Sequence, residues 1–345
     1  MIREVQILLL LFIFFCDLTS AIQNGQIFRS AAAGLYESVR PYQYSNLEGY
    51  CGCIDHHLAK GILDLKKGQS EDVICTHSLD LGLSVQKVLL DQEGVNFGDA
   101  LLCTYKELKR IEKTKGCYAL FNDGSSPWKI STISEISNNP ASLCPPLQGT
   151  GSPTMVLGGF TMHRIKGDNI NPSIDTKNKI AAIPLRAGSK VLDTCCGLGY
   201  TAIAAAKKVQ DNNGSVLTIE YDDASLEMCT YNPYSQGLFD GTLPITALHG
   251  DSCEIIKDIQ NAVFDFIIHD PPALAICSAD LYGTQYYKEL RRVLKPSGKM
   301  FHYIGSPSSK ESGRLYSGIT KRLLEAGFEY IQKEESAYGL VASLY

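Results

Sequence analysis

Positive charge is the first thing this 345-residue chain lacks. Its 32 Lys and Arg are outnumbered by 37 Asp and Glu, leaving a formal net charge of −5. That balance excludes a molecule that grips nucleic acid over its whole surface, while a local basic face stays open. No internal repeat is visible, which excludes a stacked-repeat architecture. Regular cysteine spacing is absent too. The twelve Cys are scattered, several of them in apolar runs (Cys75, Cys103, Cys195, Cys196). They read as buried thiols and not as a disulfide framework. No apolar run approaches the roughly 20 residues of a membrane span. The strongest, Ile7–Phe15, has nine.

That short run follows Arg3 and precedes the small residues Thr19 and Ala21, so residues 1–21 fit a signal peptide. Residues 22–49 read as a transit-like or disordered segment: the stretch 22–46 is small, contains Ser and Ala, carries Arg29 and Arg40 against only Glu37, and resembles a transit peptide. A two-part address to a plastid is the expectation, with the secretory pathway as the alternative. The wealth of thiols argues against an oxidising final compartment. No stable membrane partner is expected once the signal is removed.

Residues 50–165 read as a small, mostly β N-terminal domain. Leu58, Ile62 and Leu65 have helical spacing. Residues 72–121 then alternate in short strands with turn signals, Asp123-Gly124 marks a hairpin, and 137–153 is rich in breakers. From 166 to 345 strands and helices alternate. "KVLDTCC", "SVLTIEYD", "PITALHGD", "FDFIIHD" and "KMFHYIG" are near-continuous apolar strands, separated by helical stretches such as "GYTAIAAAKKV" and "TQYYKELRRVL". This pattern predicts an α/β fold, a doubly wound, mostly parallel, Rossmann-like sheet covered on both faces. Ligands of such sheets bind beyond the carboxyl ends of the strands.

Acids stand at four successive strand ends: Asp193, Glu220, Asp251 and Asp270. After Asp193 come Gly197 and Gly199, which let backbone approach a ligand, and then a helix whose free N–H groups favour an anion. "GLGYTA" also satisfies the dinucleotide pattern G-x-G-x-x-A. Glu220, 21 residues beyond Gly199, suits a ribose diol in either reading. Acids closing the third and fourth strands decide between them. A nicotinamide enzyme needs neither. S-adenosylmethionine needs one acid for its adenine amino group and another facing the transferred methyl.

Residues 170–345 resemble a class I S-adenosylmethionine-dependent methyltransferase, and more narrowly an archaeal-type group of predicted methyltransferases. The resemblance rests on "LDTCCGLGYTAIAAA", "HGDSCEII", "FDFIIHDPP", "YYKELRRVLKPSGKMFHYIG" and "LLEAGF", and it reaches back through "GFTMHRIKG" to "SLDLGLS", about three quarters of the chain. It implies a seven-stranded sheet with S-adenosyl-L-methionine as cofactor. It places Asp193, Cys195, Gly197 and Gly199 along the methionine and adenosine end, Glu220 on the ribose hydroxyls, and Asp251 with Ser252 at the adenine. Cys195 stands where many relatives carry a glycine. Asp270-Pro271-Pro272 resembles the (Asn/Asp)-Pro-Pro-(Tyr/Phe) motif of amino-group methyltransferases. The prolines fix the backbone and remove donors. Asp270 and the Pro271 carbonyl then orient an incoming amine. Ala273 stands where the motif has its ring, so Tyr282, Tyr303 or Tyr200 must substitute, or the acceptor is not a flat base.

The expected function is methylation of an amino group on an acceptor that is a small molecule, RNA or protein. An aminopropyl-type transferase, a non-catalytic RNA-binding or scaffold protein and a nicotinamide oxidoreductase are the rivals. His163 and Arg164, and His302 and Tyr303, are candidate substrate contacts at the pocket mouth. Asp175 is a candidate cap or cofactor contact. "CGCIDHH" (51–57) has metal-like composition but awkward spacing for a tetrahedral site, so no metal is expected. The basic run 105–116 reads as a solvated helix face.

Overall fold

The computed structural model describes residues 40–41, 49–98, 100–146, 149, 151–163, 171–272, 279–305 and 310–345. The expected leader, most of the transit-like segment, Arg164 and Ala273 lie outside these residues. Among the described residues no helix is long and apolar enough to cross a membrane.

The N-terminal half holds β1 (Arg40–Pro41), β2 (Tyr50–Asp55), β3 (Val73–His77), β4 (Gln86–Leu90), β5 (Gly94–Phe97), β6 (Ala100–Thr104), β7 (Cys117–Phe121), β8 (Trp128–Lys129), β9 (Ser131–Ile133), β10 (Pro140–Cys144), β11 (Thr154–Leu157) and β12 (Phe160–Thr161). They form sheets ordered β3-β4-β5-β6, β2-β7-β8 and β12-β11-β10-β9. Two helices, His56–Lys66 and Tyr105–Thr114, accompany them. The second is fixed by a capping box of Thr104 and Glu107. It buries Leu108 and Ile111 while Lys106, Lys109 and Lys113 face solvent. Part of this half has its own core around Ile54, Leu90, Leu102 and Tyr118. Cys53, Cys117, Leu143 and Met155 instead share a core with the helix Tyr200–Val209.

The C-terminal half contributes β13 (Lys190–Asp193), β14 (Ser215–Glu220), β15 (Ile245–His249), β16 (Phe264–His269), β17 (Leu294–Tyr303), β18 (Tyr330–Glu334) and β19 (Gly339–Ser343). The sheet order is β1-β15-β14-β13-β16-β17-β19-β18. The five strands from β15 to β17 are mutually parallel, and β1, β18 and β19 pair antiparallel to their neighbours. The sheet thus has eight strands and not the expected seven. The added one is β1, which runs Arg40 opposite His249 and Pro41 opposite Leu248 and so covers what would otherwise be an open edge.

Strand alternation puts Val191, Phe266, Ile268 and Phe301 into one core and Leu192, Ile267 and Met300 into the other. Helices on both faces complete the doubly wound fold. Tyr200–Val209 packs close because Ala202, Ala205 and Ala206 present no bulk and are fully buried. Its start is set by Gly199, whose φ is +78° and whose Cβ, were it present, would lie 2.3 Å from Leu238 Cδ1. Gly199→Ala is therefore expected to cost roughly 2–4 kcal/mol, from the left-handed backbone and the overpacking together. Chemical denaturation of the full chain reads this directly; a loss under about 0.5 kcal/mol, the usual range for an unremarkable surface change, contradicts it.

Candidate functional site

The parallel order brings the ends of β13, β14, β15 and β16 to one rim. Asp193 is wholly buried there. Its Oδ2 accepts from the hydroxyls of Thr218 (3.1 Å) and Thr201 (3.2 Å). Its Oδ1 is buried and meets no partner among the described residues. Burial, reinforced by the negative charge of Asp270 and Glu220 and opposed by the two threonines, pushes its carboxyl up to about 8.

Glu220 is held by backbone. Oε1 accepts from the N–H groups of Tyr221 (2.9 Å) and Asp222 (2.8 Å), and Oε2 from that of Gly197. Burial still lifts it to about 7 against those bonds. The acid thereby ties the glycine loop to the end of β14. Gly197 has φ +54°, and a Cβ there would lie 2.7 Å from Met162 Sδ, so the segment after β12 lies over the loop. Gly199, read from sequence as an approach point for a ligand, has its open side filled by Leu238. Packing and turn geometry explain it.

Asp251 caps the helix Ser252–Asp258, its side chain accepting from Cys253 N at 2.8 Å. The Ser252 hydroxyl accepts from Tyr286. Cys195 lies among the acids: burial first, then Glu220, Asp193 and Asp270, raise its thiol well above the ordinary value. It is a neutral thiol and a weak nucleophile.

Asp270 follows β16. Its Oδ2 lies 2.6 Å from Nζ of Lys179, and the same Nζ lies 2.7 Å from Oδ2 of Asp175 and 4.5 Å from the centre of the Tyr303 ring. Lys179 is 3% exposed, Asp175 1% and Asp270 18%. Burial works against the charge on Lys179, but Asp270 and Asp175 outweigh it and hold the ammonium above its ordinary pKa. No hydrogen-bond partner meets Oδ1 of Asp270 among the described residues. The Pro272 carbonyl accepts from the hydroxyl of Tyr282 at 2.9 Å.

Not every candidate reaches this rim. His302 does not face the pocket mouth: it is wholly buried, with Nε2 2.8 Å from the Tyr287 hydroxyl and Nδ1 unpartnered among the described residues. Alternation along β17 sends His302 into the core and its neighbour Tyr303 to the rim. His163 is 8% exposed, bonded to Thr154 and stacked on Tyr200. Burial, with the charge of Lys179 adding to it, lowers it to about 3, so it is neutral and its ring packs on Tyr200. Tyr200 and Tyr282 are buried with committed hydroxyls, so of the three tyrosines only Tyr303 remains to stand in for the ring. Asp175 caps nothing; it pairs with Lys179. No metal-holding group of His, Cys, Asp and Glu occurs among the described residues, and the ten described cysteines are free.

Two residues were missed in the sequence. Lys179 had a signal: Thr176, Ile180 and Ile183 are buried at helical spacing, and a lysine within that stripe demands a partner. His269 was the other. Its Nε2 donates to the Leu281 carbonyl (2.9 Å) and its Nδ1 accepts from Thr194 (2.7 Å), locking the backbone just before Asp270.

Among the described residues the rim therefore offers Asp193, Glu220, Asp270 and Asp175 against the cation Lys179, with Oδ1 of Asp193 buried and unpartnered. Such a donor set fits S-adenosylmethionine, which carries an ammonium, a sulfonium and a ribose diol.

Residues 191–298 match the family model described as a methyltransferase domain. An uncharacterized protein of Methanocaldococcus jannaschii is 38% identical over 292 residues, spanning 84% of this chain and 94% of that protein. A demethylmenaquinone methyltransferase of Lactobacillus johnsonii is 30% identical over 118 residues, 34% of this chain and 44% of its own. Among solved structures, a spermidine synthase from Thermotoga maritima superposes with a TM-score of 0.47 at 17% identity, over 61% of this chain and 70% of that one. The chain belongs to the same family as the archaeal protein, and it is a class I S-adenosylmethionine-dependent methyltransferase.

Proposed function

We propose that the enzyme methylates an amino nitrogen. The observation that carries this reading is the state of Asp270: one oxygen is taken by Lys179, and the other meets no hydrogen-bond partner among the described residues. A carboxylate oxygen of that kind accepts an N–H, and with the Pro271 carbonyl it orients the nitrogen lone pair. Tyr303 forms the wall beside them. Asp193 and Glu220 would hold the ammonium and the ribose, and Asp251 with Ser252 the adenine. S-adenosylmethionine supplies the methyl group on an already activated sulfonium. The residues of the chain contribute orientation and exclusion of water, the main levers for such a displacement.

The test uses methyl-labelled S-adenosylmethionine with extracts of cells lacking the gene, followed by carbon-13 NMR of the labelled product. The expected product carries its new methyl on nitrogen. A methyl on oxygen or carbon overturns the reading.

A further inference from the structure

Lys179 lies on the helix Pro172–Ala181, outside the strands that build the rim. Its ammonium is nonetheless caged on three sides, by Asp270 at 2.6 Å, by Asp175 at 2.7 Å and by the Tyr303 ring at 4.5 Å. A buried lysine is a costly way to pin a helix, because several kcal/mol of hydration are given up per ion. An apolar side chain among Ile180 and Ile183 would serve that end better. The lysine must therefore do something an apolar group cannot.

We infer that Lys179 is the positioning residue of the transfer site: it takes one oxygen of Asp270 and leaves the other facing the acceptor, while Asp175 keeps the lysine from turning away. The inference rests on the reading of Asp270 as the acceptor's contact and deepens it. An amine needs an acceptor oxygen, and a protonated carboxyl cannot offer both of its oxygens. Burial pushes Asp270 toward protonation, Lys179 opposes that, and Asp175 adds to it. The groups facing Asp270 are Lys179 and Asp175 from the helix, Asp193 and Cys195 from β13 and its loop, and Tyr303 beyond Lys179 on β17. Among these described groups only Lys179 is a cation. The two helix residues thus act on Asp270 in opposite senses, which packing alone would not produce.

The experiment is a carbon-13 carboxyl titration of Asp270 in the full chain saturated with S-adenosylhomocysteine, the resonance being assigned by its loss in Asp270→Asn. Lys179→Met is expected to raise the Asp270 midpoint by about one pH unit or more. Asp175→Asn is expected to lower it, and Lys179→Arg to bring it back toward the wild-type value. Affinity for S-adenosylhomocysteine should stay within about threefold throughout. If Lys179→Met does not fold, Asp175→Asn and Lys179→Arg carry the same test. A midpoint unmoved by these changes, or moved the same way by Lys179→Met and Asp175→Asn, overturns the inference. Failure of the underlying reading shows separately, as undiminished turnover in Asp270→Asn.

Discussion

Asp270→Asn is expected to lower turnover by about 10²- to 10³-fold while affinity for S-adenosylhomocysteine stays within about threefold. A preorganised polar contact to the reacting group is worth roughly that factor. The amide keeps the size of the side chain and removes its charge. Its nitrogen cannot accept from an incoming amine, and its oxygen goes to Lys179, which otherwise faces Asp175 alone. Loss of turnover without loss of cofactor affinity is the signature of a contact made in the transition state. If cofactor affinity collapses instead, Asp270 is a cofactor ligand, and the nitrogen is oriented by something else.

The second large effect concerns Asp193. Asp193→Asn should weaken cofactor binding by about 10- to 100-fold, the range for losing a hydrogen bond to a charged group. It should also remove a pH dependence. In the free protein the Asp193 carboxyl titrates at about 8, far above an unfolded aspartate near 3.9. The folded state then binds more protons than the unfolded one between those values. Stability falls as pH rises through that window, on the order of 1.4 kcal/mol per unit. Glu220, lifted to about 7, adds to the same slope. A bound ammonium favours the ionised form, so cofactor binding should release a proton, and affinity should rise with pH until about 8. In Asp193→Asn the proton release disappears and the free protein loses the steeper part of its alkaline destabilisation. Calorimetry in two buffers of different ionisation enthalpy measures the first, and denaturation at pH 5 and pH 8 the second. Unchanged affinity in the variant would show that the orphaned Oδ1 faces no cation.

Much of this was legible in the chain itself because the sheet's central strands are nearly continuous apolar runs, and four of them lead to an acid. Asp193, Glu220 and Asp270 need only the rule that parallel strands present their carboxyl ends on one side. β1 was not legible: two residues, Arg40 and Pro41, carry no periodicity, and their pairing depends on an edge more than 200 positions away. Lys179 carried a signal in its helical stripe, but its partner Asp270, 91 residues distant, was not to be found locally. His302 and Tyr303 could have been separated by alternation, which lets only one of two neighbours reach the rim. The reason for Gly199 lay in Leu238, a contact no local pattern reveals.

The structure of the full chain bound to S-adenosylhomocysteine tests the central claim most directly. The account predicts the homocysteine amino group on Asp193, the ribose hydroxyls on Glu220, and the sulfur turned toward the free oxygen of Asp270 beside Tyr303. A sulfur turned away from Asp270, or Asp270 itself bonded to the bound molecule, would contradict it.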